Sequence, residues 1–115
     1  MDNEQDEQIT LKMAATYFAG APQFGKLTIS PTGIQFTNDH AERLSVMLAW
    51  GEVNQVVASV SMRKKISRFT VISQTGNQYP FAAKDAKAVL RAIRTYLKPE
   101  QLVRARGVLA IFRGH

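Results

Sequence analysis

Alternation of apolar and polar positions with a period of two runs through the first three quarters of the chain. In LKMAATYFA (11–19), Leu11, Met13, Ala15 and Tyr17 alternate with Lys12, Ala14, Thr16 and Phe18, the spacing of a two-faced strand. GAPQFG (20–25) reads as a loop, and GKLTIS (25–30) and GIQFTN (33–38) as two more strands with Leu27/Ile29 and Ile34/Phe36 inward. Between them Ser30-Pro31-Thr32-Gly33 has Pro in the second turn position and Gly in the last, a hairpin signal. After the polar stretch NDHAER (38–43), LSVMLAW (44–50) sets Leu44, Val46, Leu48 and Trp50 on one side. VNQVVASVSM (53–62) is rich in β-branched residues, with Val56, Ala58, Val60 and Met62 on one face. SRFTVIS (67–73) follows, TGN turns the chain, and NQYPFA (77–82) is a last short strand. Pro80 has no N–H for a ladder, so that strand is expected at an edge or a bulge.

From residue 84 the period changes. KDAKAVLRAIRTYL (84–97) sets Val89, Leu90, Ile93, Tyr96 and Leu97 at helical spacing, with Lys84, Lys87, Arg91, Arg94 and Lys98 on another face. Asp85 in the first turn and Lys98 in the last suit the helix dipole, and Pro99 ends the helix. EQLVRARGVLAIFR (100–113) reads as a weaker second helical stretch, interrupted by Gly107, and VLAIF (108–112) is an apolar run that could dock on the body, a partner or a bilayer interface.

Together these elements predict a mainly β, α+β domain: a seven-stranded antiparallel barrel of pleckstrin-homology-like pattern, capped by an amphipathic helix, with a short helical segment after it. The expected divisions are an acidic tail over residues 1–8, a barrel-plus-helix domain over 9–98 and a helical extension over 99–115. Trp50, Leu48, Val57, Phe69, Val71, Leu90 and Ile93 are expected to share a core, with Leu90→Ala costing about 2–5 kcal/mol.

Charge sharpens this picture. The 115 residues carry a net charge of +6, but four of the nine acids (Asp2, Glu4, Asp6, Glu7) fall in the first seven positions; residues 8–115 therefore hold five acids against all fifteen cations, a net +10. A basic body expects an anionic partner: nucleic acid, an acidic membrane face or an acidic protein surface. Two cation groups stand out. VSMRKKISRF (60–69) carries Arg63, Lys64, Lys65 and Arg68 with Ile66 among them, and from Val53 to Gln78 those four are the only charged residues. The helix adds Lys84, Lys87, Arg91 and Arg94 with almost no acid to pair with. Each group also has a plain reading, as a solvated turn that discourages edge pairing and as the wet face of a helix.

Catalytic chemistry is thin. The carboxylates of the body, Asp39, Glu42, Glu52, Asp85 and Glu100, are scattered, with no spacing that suggests a paired acid and base. His40 lies in a loop between Asp39 and Glu42, which would repel an incoming phosphate, and His115 is far away in sequence, so neither a phosphohistidine nor a two-histidine metal site is expected. No GxxxxGK[ST] loop is present. Absent cysteine excludes disulfides and thiolate zinc sites and suits a reducing cytoplasm, and no apolar run reaches the ~20 residues of a membrane span. The expectation is a non-enzymatic protein without metal or cofactor, cytoplasmic or peripheral at the inner face of the cell membrane.

ATYFAGAPQFGKLTISPTGIQF, LAWGEVNQVVASV, RFTVIS and KDAKAVLRAIRTYL, in this order over roughly residues 9–106, resemble a family of small bacterial proteins, a domain of unknown function known as the mannose-operon regulator, ManO. The resemblance implies a role in regulating or assisting a mannose-class sugar phosphotransferase system, whose genes neighbour the family's; it brings no catalytic residues. LAWGEVNQV also resembles the Trp-containing strand-to-strand step of bacterial pleckstrin-homology-like domains. The reading that follows is an accessory binding module that contacts the transporter, or acidic lipid beside it, through Arg63, Lys64, Lys65, Ile66, Arg68, Lys84, Lys87, Arg91 and Arg94. A nucleic-acid-binding regulator of the operon ranks second, because no groove-reading helix-turn-helix is visible, and an acidic-lipid module third.

Overall fold

A computed structural model of the chain describes residues 9–60 and 66–106. Strands β1 (Leu11–Ala19), β2 (Ala21–Ser30), β3 (Gly33–Asn38) and β4 (Val46–Ala49) form one antiparallel meander, and β5 (Val53–Val60), β6 (Ile66–Ser73) and β7 (Gln78–Ala83) a second. β7 pairs with β1 over Tyr17–Phe81, Thr16–Ala82 and Ala15–Ala83, joining the meanders. Helix α1 (Ala86–Ile93) follows, and strand β8 (Leu102–Arg106) then runs parallel to β5.

This corrects the seven-stranded antiparallel barrel. The sheet has eight strands in the order β4-β3-β2-β1-β7-β6-β5-β8, is mixed, and does not close, because β4 and β8 at its ends are not hydrogen-bonded to each other. The second helical segment is corrected as well. Pro99–Gln101 is a single 3-10 turn and Leu102–Arg106 is a strand, while residues 107–115, including VLAIF, lie outside the described residues. The physical reason is tertiary. The Gln101 amide donates to the Val53 and Asn54 carbonyls at 3.2 and 3.0 Å and its oxygen accepts from Lys98 N at 2.9 Å, which sets the chain down beside β5. The open edge of β5 then offers a ladder that LVRAR fills with Val56 opposite Leu102 and Ala58 opposite Arg104.

Two local expectations also change. GAPQFG is not a loop: Gly20 alone, at φ +80°, reverses the chain, and the hairpin ladder runs from Ala19–Ala21 to Leu11–Ile29. β7 is an internal strand, yet its pairing with β1 ends at Phe81, so at Pro80 only β6 is alongside and the missing N–H interrupts nothing on the β1 side. Gly33 is required by crowding, since a Cβ there would overlap the Leu48 carbonyl oxygen.

The core lies between the concave face of the sheet and α1. Leu27, Ile29, Ile34, Phe36, Val53, Val56, Phe69, Val71, Phe81, Val89 and Ile93 are sealed from solvent. Phe81 is the hub, with ring centroids 5.1 Å from Tyr17, 5.9 Å from Phe36 and 5.6 Å from Phe69; burial, and secondarily Tyr79, pushes the Tyr17 phenol above its usual value. Of the expected core set, Leu48, Phe69, Val71 and Ile93 are buried, Trp50 and Leu90 flank the cluster half-buried, and Val57 is outside it. Val57 turns away because it alternates with the buried Val56 and Ala58, and a bulge at Asn54, where the register slips between Val53–Ser73 and Gln55–Ile72, brings Val53 onto that same inner face. On α1 the largest cavity cost is expected at the fully covered Ile93, with that of Leu90→Ala toward the low end of its range because Leu90 is only half-buried.

Candidate functional site

Helix α1 is positioned by its buried stripe. Ala86, Val89 and Ile93 face the core, and the Asp85 carboxylate caps the start by accepting from Ala88 N at 3.1 Å. After Ile93 the chain tightens: Thr95 N and Tyr96 N bond three residues back, to the Ala92 and Ile93 carbonyls. Tyr96 stacks on Trp50 with centroids 5.0 Å apart and 14° between planes, and the Trp50 indole N–H donates to the Ser30 carbonyl at 2.8 Å. The helix is thus pinned at both ends, and the stripe opposite its core face has a fixed direction.

That stripe is Lys87, Arg91 and Arg94, spaced four and three residues apart and all exposed. It forms one wall of a cleft of about 200 Å³ whose other wall is β8, with Leu102, Val103 and Arg104. Val56, Ala58, Ile66 and Leu90 supply an apolar floor. Among the described residues four cations ring this floor, no carboxylate lines it, and none of the four is ion-paired with a described carboxylate. The arrangement is an electropositive rim around an apolar floor.

Of the residues expected to bind a partner, the structure brings Ile66, Lys87, Arg91 and Arg94 together here. Lys84 is elsewhere: its N–H donates to the Ala14 carbonyl at 3.3 Å, and it borders a wider groove of about 450 Å³ with Ala82, Phe24 and the Lys26–Asp39 ion pair of 3.5 Å. Arg68 stands over the Phe18 ring, 4.3 Å from its centroid. A bulge at Ser67 separates Arg68 from Ile66, with register pairs Ser59–Arg68 and Val60–Ile66; Ile66 packs on the core while Arg68 is exposed. Arg63, Lys64 and Lys65 lie outside the described residues. Sequence reading missed Arg104 and Leu102, which were assigned to a helix; the alternation Leu102, Arg104, Arg106 against Val103, Ala105 was the available signal.

His40 is exposed, its N–H bonded to Asn38 Oδ1 at 2.8 Å. Among the described residues no group of three His, Cys, Asp or Glu could hold a metal, and no helix is long and apolar enough to cross a membrane.

No curated protein matches the sequence. Solved structures do match the fold. The C-terminal domain of an unknown protein from Leishmania infantum superposes with a TM-score of 0.70 at 14% identity, covering 81% of this chain and 86% of that one. The Spt16D–Pob3N heterodimer gives 0.61 at 11% identity, over 94% of this chain and 60% of that one. The Slm1-PH domain in complex with phosphoserine gives 0.56 at 12% identity, over 76% and 91%. At such identities the likeness concerns the fold alone, which this chain shares with the Slm1-PH domain among others. The family model described as Domain of unknown function (DUF956) matches residues 1–115, and the chain belongs to that family.

Proposed function

We propose that this chain is a non-enzymatic accessory module of a mannose-class sugar phosphotransferase system, docking on an acidic cytoplasmic surface of the membrane transporter. The observation that carries the reading is the cleft between α1 and β8, with Lys87, Arg91, Arg94 and Arg104 around an apolar floor and no carboxylate among the described lining residues. Cations steer the encounter, and the floor offers a pocket for an apolar anchor at its centre. In the sequence Arg63, Lys64 and Lys65 immediately precede Ile66, itself a cleft residue. The resemblance to the mannose-operon regulators supplies the choice of transporter. The phosphoserine bound to the Slm1-PH domain is an anion held by a fold of this kind.

The test is co-sedimentation of the full chain with inverted membrane vesicles that contain or lack the mannose-class transporter. Transporter-bearing vesicles are expected to retain about tenfold more protein, with retention falling as salt rises from 0.05 to 0.3 M because the attraction is screened within about 10 Å at 0.1 M. Equal retention by both vesicles would move the target to the anionic leaflet. Binding to duplex DNA at physiological salt, with no preference among vesicles, would replace the transporter reading by an operon-binding one.

A further inference from the structure

We propose that the acidic segment 2–7 of this chain is the resident occupant of the cleft between α1 and β8, an internal stand-in that an anionic partner must displace. Charge complementarity is the first ground. Asp2, Glu4, Asp6 and Glu7 are four of the chain's nine acids, and the cleft presents four cations without a carboxylate among its described lining residues.

The second ground is where the segment leaves the described structure. Thr10 is fixed beside the C-terminal end of α1: its N–H donates to the Ile29 carbonyl at 2.8 Å and its hydroxyl shares a 2.5 Å hydrogen bond with the Tyr96 hydroxyl. Tyr96 is two residues beyond Arg94, a cleft residue. The eight residues from Thr10 back to Asp2 can extend about 26–29 Å, and the three back to Glu7 about 10 Å. A helix is about 10–12 Å across with its side chains, so the acids can pass over the end of α1 and reach Arg94, Arg91 and then Arg104. Tethering so close holds the acids at an effective concentration on the order of millimolar. Weak exposed contacts then suffice to occupy the site against dilute competitors while still yielding to a partner that brings several anions and an apolar anchor.

The inference shares its cleft with the function proposed above but does not depend on which partner docks there. Cysteine is absent from the chain, so Asn3→Cys accepts a single nitroxide label. Paramagnetic broadening of backbone amides in the labelled full chain is expected at Arg91, Arg94 and Arg104, to be relieved at 0.5 M salt, and to disappear in R91E/R94E/R104E. Broadening confined to residues around Thr10, or unchanged by salt, would overturn the proposal. So would broadening that arises only between a labelled copy and a separate isotope-enriched copy, because the occupant would then be a second molecule.

A second readout is affinity for vesicles containing phosphatidylglycerol. Neutralising the segment (D2N/E4Q/D6N/E7Q) is expected to tighten binding about 3- to 10-fold in the wild-type cleft, and to change it far less in the R91E/R94E/R104E background, since the two sets of substitutions act on one contact. Equal gains in both backgrounds would mean general charge repulsion and sink the idea. The labelling experiment contains no partner, so its failure leaves the transporter reading standing, and failed recruitment to transporter-bearing vesicles leaves the internal contact standing.

Discussion

Phe81→Ala is expected to lower the unfolding free energy by about 3–5 kcal/mol, measured by urea denaturation. Phe81 is 1% exposed and its ring touches three others, those of Tyr17, Phe36 and Phe69. Those partners come from β1, β3 and β6, and Phe81 itself from β7, so truncation removes the contact that ties both meanders together under the helix. The surrounding backbone is held in ladders on both sides, Phe69 and Tyr17 standing opposite Phe81 in register, which limits collapse into the void. Domains of this size are stable by roughly 5–15 kcal/mol, so the variant should be largely unfolded at moderate urea or near 40 °C. A loss below about 1 kcal/mol would contradict this account of the core.

R91E/R94E/R104E carries the largest functional effect. All three side chains are exposed, so the fold should tolerate them, with the denaturation midpoint changed by no more than the usual small cost of surface substitutions. Binding is another matter. A cation near an anionic surface contributes about 1 kcal/mol; losing three, and adding three repulsions, should weaken retention on transporter-bearing vesicles at least 100-fold at 0.1 M salt. The matched control is K12E/K26E/R43E, equal in charge change and exposed but outside the cleft; it should reduce retention only several-fold. Equal losses in the two triples would mean that net charge, rather than this cleft, governs association.

The fold was legible wherever the pattern was locally sufficient. Leu27, Ile29, Ile34 and Phe36 read as inward and are fully buried, because two-residue alternation leaves a strand only one way to face a core. The cation stripe Lys87, Arg91, Arg94 was legible for a similar reason, since helical spacing alone puts the three on one side. What escaped was set by distant partners. LVRAR has the composition of either a helix or a strand, and only the unfilled edge of β5 and the clasp by Gln101 decide for a strand. With β8 taken for a helix, Arg104 had no place opposite Arg91, so one wall of the cleft was visible in sequence and the other was not. The bulges at Asn54 and Ser67 escaped too; each shifts register by one residue, which put Val53 on the core face with Val56 and parted Arg68 from Ile66.

β8 also carries a thermodynamic consequence. It is the last strand of the sheet, bonded to β5 alone among the described strands, and its five residues are joined to the rest through one 3-10 turn. Such a strand is expected to open locally at a lower free energy than the protein as a whole. Its detachment would take Leu102 and Arg104 away from the cleft and leave Lys87, Arg91 and Arg94 as a bare helical stripe. The site therefore exists only in the fraction of molecules whose outermost strand is seated. Any ligand that grips Arg104 draws on that equilibrium, gaining a tighter strand and giving up part of its affinity to seat it. Amide exchange along β8 would record the balance directly.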